Sequence, residues 1–375
     1  MKADQFDYQL PPELIAQTPS RRRDQSRLMV LDRSTDERTV MAFRDITQFF
    51  HRGDVLVVNN TKVFKARLFG KRKTGGVVEI FLIRPHNPEM EECRVSHSAR
   101  GGVRNADLQR NGRNADLSRE SGVAWEALVA PSRRVKEGEE ILFGDFRVEL
   151  LSDLGGGKWA VHFHSERERQ RVIAQFGHVP LPVYMRRDDV PSDIRRYQTV
   201  YADASKEGAV AAPTAGFHFT RGLLNNLKNK GVQIAEVTLH VGPGTFKPLK
   251  VEDIHDHVVD PEIAELPIET ATIINKARHS GQKIFAIGTT TVRTLESAPS
   301  GSEIIPFSGM VDLYIKPGHR FRFIDHMVTN FHLPKSSLLI LVSAFAGREK
   351  ILDAYHDAIQ RGMRFYSYGD AMLIR

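Results

Sequence analysis

Residues 220–242 read TRGLLNNLKNKGVQIAEVTLHVG, a helix feeding a strand. The Thr220 hydroxyl suits the cap of a helix running through Lys230. Leu223, Leu224 and Leu227 share one face of it, and Gly231 marks its end. Residues 233–241 follow as a strand that stops at Gly242. The alternation continues downstream, with a helix over 268–279 and a strand over 283–287. That strand runs into Gly288-Thr289-Thr290-Thr291 and a helix carrying Arg293 and Glu296. Upstream, 28–33 and 54–58 read as short buried strands, the second ending at Asn59-Asn60-Thr61. Ser165 caps a helix over 166–176 that Gly177 stops, and two helices, 338–346 and 349–360, flank Gly347 near the end. The pattern predicts an α/β main domain.

From Val63 the character changes. Apolar runs at 63–69, 77–83, 93–97, 124–129, 140–151 and 158–164 are split by Gly, Pro or charged turns and show no helical period. Short strands spaced in this way predict an antiparallel sheet or small barrel. The expected organisation is therefore an α/β domain of residues 1–62 and 165–375, with a barrel domain, 63–164, inserted. Within the barrel, Arg104-Asn105-Ala106-Asp107-Leu108 recurs as Arg113-Asn114-Ala115-Asp116-Leu117. The segment 100–122 carries five arginines and almost no apolar residues, so it reads as a mobile surface loop; an arginine-rich arm that folds on RNA is the functional alternative.

With 41% hydrophobic and 26% charged residues, the chain has the composition of a soluble globular protein. Cys93 is the only cysteine, which excludes an intrachain disulfide and a thiolate zinc cluster. No His-x-x-x-His pair recurs, so no metal is expected. The longest apolar run, within 338–346, is too short to span a bilayer, and the polar first residues lack a secretory leader; a cytoplasmic protein is expected. A formal charge of +7 and a pI near 9.4 favour an anionic partner. Basic residues cluster at Arg21-Arg22-Arg23 with Arg27, at Lys62, Lys65 and Arg67, at Lys71-Arg72-Lys73, and at Arg133-Arg134 with Lys136.

The chemistry concentrates in two segments, AAPTAGFHFT at 211–220 and HVGPGTF at 240–246. Each places small or flexible residues beside a histidine, a threonine and an aromatic. Ligands of α/β sheets gather at the carboxyl ends of strands, which is where HVGPGTF and Gly288-Thr289-Thr290-Thr291 fall. Free N–H groups at a helix start favour a carboxylate or phosphate, and Arg293 offers a two-pronged ion contact. No G-x-x-x-x-G-K-[ST] pattern and no G-x-G-x-x-G after a strand is present, which removes the main support for kinase-like and dinucleotide-binding readings. The usual glycine-rich loop of Rossmann methyltransferases is also missing. His218, His240 and His332 lie in Gly- or Pro-marked segments, whereas His255 and His257 lie in a charged stretch that reads as surface.

DYQLPPELIAQ at 7–17, NNTKV at 59–63, AAPTAGFHFT, TLHVGPGTF at 238–246, GTTTVRTLES at 288–297, NFHLPKSSLLILVSAFAGRE at 330–349 and SYGDAMLI at 367–374 together resemble the S-adenosylmethionine:tRNA ribosyltransferase-isomerase family of queuosine synthesis. The seven motifs keep their order over nearly the whole chain. The resemblance implies an α/β domain with an inserted β-barrel. It also implies a reaction in which the ribosyl group of S-adenosylmethionine is transferred and isomerised onto 7-aminomethyl-7-deazaguanine at the tRNA wobble position. Epoxyqueuosine, adenine and methionine are its products, so S-adenosylmethionine serves as a co-substrate and no recycled cofactor is expected. The sulfonium acidifies the adjacent ribose C5′–H, so a positioned base starts the chemistry.

Combined with local chemistry, the resemblance nominates His218 or His240 as proton acceptor, with His332 and Asp370 in reserve. Thr214, Gly216, Gly242, Gly244, Thr245, Thr289 and Thr290 are expected around the substrates. Arg293 and the N–H groups of Thr289, Thr290 and Thr291 are expected to hold the methionine carboxylate, and Phe217, Phe219 and Phe246 to face adenine or the deazaguanine. Arg21, Arg22 and Arg23 with Lys71, Arg72 and Lys73 are expected to grip tRNA phosphates, and the protein to act as a monomer. Two rivals are a catalytically silent tRNA-binding protein on the same scaffold and an S-adenosylmethionine-dependent methyltransferase. Two departures stand out: the 100–122 segment is longer than the family's usual loop, and Val258-Val259-Asp260-Pro261-Glu262 replaces a methionine- and histidine-containing segment. No role is assigned near 255–262.

Overall fold

The computed structural model describes residues 1–86, 122–246, 249–299 and 301–375, with the side chains of Thr245 and Phe246 left aside. The duplicated pentapeptide, the run at 93–97 and Cys93 lie outside the described residues. The chain divides into two compact units, Met1–Phe64 with Leu181–Arg375, and Lys65–Pro180. No helix among the described residues is long and apolar enough to cross a membrane.

The first unit is built on a nine-stranded mixed sheet. Its strands run in the order Phe307–Val311, Glu262–Leu266, Gln233–Leu239, Val55–Asn59, Ile284–Ile287, His326–Asn330, Ala371–Ile374, Arg27–Leu31 and Arg38–Ala42. The middle four, Gln233–Leu239 to His326–Asn330, are parallel. Successive side chains of a strand point to opposite faces, so Val55 and Val57 enter one core while Leu56 and Val58 enter another. Met29 and Leu31 divide from Leu28 and Val30 in the same way. Helices Ile268–His279, Thr289–Glu296, Ser337–Ala346 and Arg348–Gln360 cover the first face. Helix Arg221–Asn229 covers the second through Leu223, Leu224 and Leu227. Thr220 Oγ1 accepts the Leu223 N–H at 3.1 Å, the cap expected of it.

The second unit is a closed antiparallel barrel. Arg67–Arg72, Val77–Pro85, Val123–Ala130, Lys158–Phe163, Phe146–Gly155 and Glu139–Phe143 pair in that order, and the last returns to the first. The run at 140–151 is two strands, because Gly144 takes φ 59° and lets the chain reverse at Gly144-Asp145. The unit extends to Pro180. It therefore holds helix Glu166–Phe176, which the sequence reading grouped with the α/β domain; Phe176 packs edge-on against Phe143 of the barrel, ring centroids 5.9 Å apart.

Candidate active site

At the carboxyl ends of the parallel strands the first unit opens a cavity, the place where ligands of α/β sheets gather. Its walls come from 212–215, 288–290, 329–333 and 366–367, with Tyr184, Val241, Ser336 and Leu338 added. Strand Ile284–Ile287 delivers Gly288, whose φ of 88° lies where a side chain is strained. That turn starts helix Thr289–Glu296, whose first N–H groups have no partner within the helix. Asn59, at the end of the neighbouring strand, fixes the corner. Its Nδ2 donates to the Leu239 carbonyl at 3.0 Å and to Thr290 Oγ1 at 3.2 Å, and its Oδ1 accepts the Leu239 and Thr61 N–H groups, both at 3.1 Å.

A second set of hydrogen bonds runs beneath the cavity. Thr214 Oγ1 donates to Asn330 Oδ1 at 3.0 Å, and Asn330 Nδ2 donates to the Tyr366 carbonyl at 3.1 Å and to His218 Nε2 at 3.2 Å. With Nε2 accepting, the His218 proton sits on Nδ1 and points to Ser26 Oγ, 2.6 Å away. Burial pushes the His218 pKa down to about 4, so the ring is neutral. Tyr366 takes φ 70°, a strained value for a tyrosine, and its ring meets Tyr184 at 4.7 Å across the cavity wall.

His332 lines the cavity. Its N–H donates to Tyr355 Oη at 3.0 Å, its carbonyl accepts the Tyr8 hydroxyl, and its Nε2 meets Thr329 Oγ1 at 2.7 Å. Backbone and ring are both held, and burial pushes the imidazole pKa down to about 3. Among the nominated acid–base groups only His332 faces this cavity. His218 lies beneath it with both ring nitrogens engaged. His240 bonds Thr61 Oγ1 at 2.8 Å through Nδ1, and burial and the Lys206 charge lower its pKa. Asp370, 2% exposed, accepts the Arg27 and Arg364 N–H groups at 2.9 Å and the Arg27 Nε at 3.2 Å. These bonds tie the start of strand Arg27–Leu31 to the residue that precedes strand Ala371–Ile374.

The remaining nominated residues divide in the same way. Thr214, Thr289 and Thr290 line the cavity. Phe217 packs with Tyr197 and Tyr368, and Phe219 lies fully buried against Phe43, so both are core. Gly216 makes room for Tyr201, whose hydroxyl would lie 1.9 Å from an added Cβ. The Gly242 N–H donates to Glu262 Oε1 at 2.8 Å. Arg21 and Arg22 are exposed, whereas Arg23 donates to the Phe217 and Arg195 carbonyls at 3.2 and 2.9 Å. In the barrel, Lys71 is exposed, Arg72 forks onto Glu139, and Lys73 pairs with Glu140 at 2.8 Å.

Arg293 belongs to a second cavity, about 1030 Å³, where it meets Lys250, His257, Asp260, Glu262 and Tyr314. Its Nη1 pairs with Glu262 Oε2 and its Nε donates to the Leu313 carbonyl at 3.3 Å. This is the segment to which sequence reasoning assigned nothing. Also missed were Tyr184, Asn330, Tyr366 and Ser367; the last three stand at or beside the motifs NFHLP and SYGDAMLI.

A family described as "Queuosine biosynthesis protein" matches residues 3–374. An S-adenosylmethionine:tRNA ribosyltransferase-isomerase of Francisella tularensis subsp. novicida is 42% identical over all of both chains, and one of Carboxydothermus hydrogenoformans is 44% identical with the same coverage. The crystal structure of S-adenosylmethionine tRNA ribosyltransferase from Thermotoga maritima is 35% identical, covers 99% of this chain and 100% of its own, and superposes with a TM-score of 0.52.

Proposed function

The chain belongs to the S-adenosylmethionine:tRNA ribosyltransferase-isomerase family of queuosine biosynthesis, and from that premise we propose which substrates it takes and how the first cavity serves them. The ribosyl group of S-adenosylmethionine is transferred and isomerised onto 7-aminomethyl-7-deazaguanine at the tRNA wobble position, leaving epoxyqueuosine, adenine and methionine. The observation that carries this reading is the wall of the first cavity, which among the described residues has no Asp, Glu, Lys or Arg side chain but has one imidazole, His332, held from three sides. A carbon acid beside a sulfonium needs such a place, dry and free of carboxylates that would neutralise the activating charge.

His332, the one imidazole in this wall and held neutral by burial, is the proposed acceptor of the C5′ proton. The unpaired N–H groups at the start of helix Thr289–Glu296 are proposed to donate toward the departing adenine, which gains negative charge as its bond to C1′ breaks. The Tyr184 and Tyr366 rings give the sulfonium aromatic faces to lie against. Attack by the aminomethyl nitrogen and epoxide closure with departure of methionine complete the sequence. Incubation with adenine-labelled S-adenosylmethionine and tRNA carrying the deazaguanine tests this. Adenine and methionine are expected in equal amounts with the modified tRNA; S-adenosylhomocysteine, or tRNA binding without any release, would overturn it.

A further inference from the structure

The second cavity has no part in the reading above, yet two of its polar groups lack partners. Arg293, 8% exposed, spends Nη1 on Glu262 and Nε on the Leu313 carbonyl, and its Nη2 has no hydrogen-bond partner among the described residues. The Tyr314 hydroxyl, buried in the same wall, has none either. Leaving a buried cationic donor unmade is costly, so an acceptor belongs there. Two unpartnered donors lining one cavity call for an anion.

We infer that this cavity holds the α-amino-acid end of S-adenosylmethionine, its carboxylate on Arg293 Nη2 and Tyr314 Oη and its ammonium toward Asp260 and Glu262. The inference rests on the first cavity being the adenosyl site. The charge balance of the wall favours a zwitterion over a phosphate. Lys250 and Arg293 stand among Asp260 and Glu262, so a doubly charged anion would meet two carboxylates, whereas an amino acid brings one charge for each sign.

The two cavities are also placed for one ligand. Leu338 borders both. Thr290 lines the first and Arg293 the second, three residues apart on one helix and so on one face, about 4.5 Å along the axis. A ligand lying along that helix therefore reaches both walls. Arg293 and the Thr289–Thr291 N–H groups, which the sequence reading joined at one carboxylate, thus serve different parts of the ligand.

The test uses calorimetric binding of S-adenosylmethionine and of its decarboxylated form, which keeps the sulfonium and the amine. Wild type is expected to prefer S-adenosylmethionine by about tenfold or more, the worth of a charged hydrogen bond. Tyr314→Phe removes a hydroxyl with no partner in the protein, so its melting temperature is expected to stay unchanged while most of the preference is lost. Arg293→Lys keeps a cation beside Glu262 and is expected to lose the preference likewise. Equal weakening of both ligands in the variants, or no weakening of either, overturns the assignment. Failure of the underlying reading looks different: wild type would then bind neither S-adenosylmethionine nor 5′-methylthioadenosine, which lacks the amino-acid end altogether.

Discussion

The two cavities of the α/β unit share Leu338 and one helix, yet their walls are opposite in character. The first is lined by hydroxyls, amides, aromatic rings and a neutral imidazole, and the second gathers Lys250, Asp260, Glu262 and Arg293. A wall without formal charge leaves the field of a bound sulfonium undiminished at the bond that must break. A wall of paired charges grips a zwitterion but would compete with that field. On the proposed assignment the difference separates where bonds change from where the ligand is recognised, and helix Thr289–Glu296 contributes to both walls.

The comparison is broken most directly at His332. If the neutral cavity is the reacting one, His332→Ala should lower kcat by about 10²–10⁴, the usual worth of a positioned base, while S-adenosylmethionine affinity stays within a few-fold. Single-turnover adenine release checks this, and His218→Gln is the contrast: an effect on melting temperature larger than that on kcat is expected there. If the two variants exchange these phenotypes, the base lies beneath the cavity and not in its wall.

The second wall is tested by separating its internal pairing from its binding. Arg293→Gln leaves Glu262, 5% exposed, without its cation, and a buried pair broken on one side typically costs about 3–5 kcal/mol of stability. Adding Glu262→Gln removes the stranded charge and should restore most of that stability in denaturant titration. It should not restore S-adenosylmethionine affinity. Recovery of both together would make the pair purely structural.

Much of this organisation was legible in the sequence, and the limits have physical causes. The helix and strand within 220–242 carry their own signals, a capping threonine, three leucines on one face and a stop glycine, so local pattern placed them within a few residues. Gly288 was likewise legible as the turn between strand and helix. The roles of the histidines were not, because they depend on partners far away in the chain: His218 meets Ser26 across 192 positions and His332 meets Tyr8 across 324. Both histidines sit beside aromatics in the sequence, and only the fold decides that one faces a cavity and the other an asparagine. The segment 258–262 carries no signal of its own in the sequence, because Glu262 comes under Arg293 only when strand Glu262–Leu266 joins the sheet.

Acid should attack the neutral side first. His218 holds a pKa near 4 in the folded chain against an ordinary 6.5, so the unfolded chain binds the extra proton more readily. The stability this neutral ring represents is complete above pH 6.5 and is lost as pH falls toward 4, on the order of 3 kcal/mol for this group alone. His332, with its pKa near 3, extends the decline further down. Melting temperature measured from pH 7.5 to 4 should therefore fall with its onset near 6.5. His218→Gln should make that fall shallower throughout the interval from 6.5 to 4, with His326 and His332 supplying the rest, and an unchanged curve would mean that the ring is not held neutral by the fold.

The smallest expected effect sharpens the charged side. A Cβ added at Gly244 would come 2.5 Å from Asp260 Oδ2 and 3.3 Å from its Cγ. The atoms it meets are the end of a side chain and not backbone, so Asp260 can turn aside at modest cost. Gly244→Ala should therefore change stability by no more than about 1–1.5 kcal/mol. Its specific consequence is the displaced carboxylate. S-adenosylmethionine, whose ammonium is assigned to that carboxylate, should bind a few-fold more weakly, and 5′-methylthioadenosine, confined to the neutral cavity, should bind as before. Equal weakening of the two ligands would show that the neutral and charged walls respond as one, and that the boundary drawn at Leu338 and helix Thr289–Glu296 is misplaced.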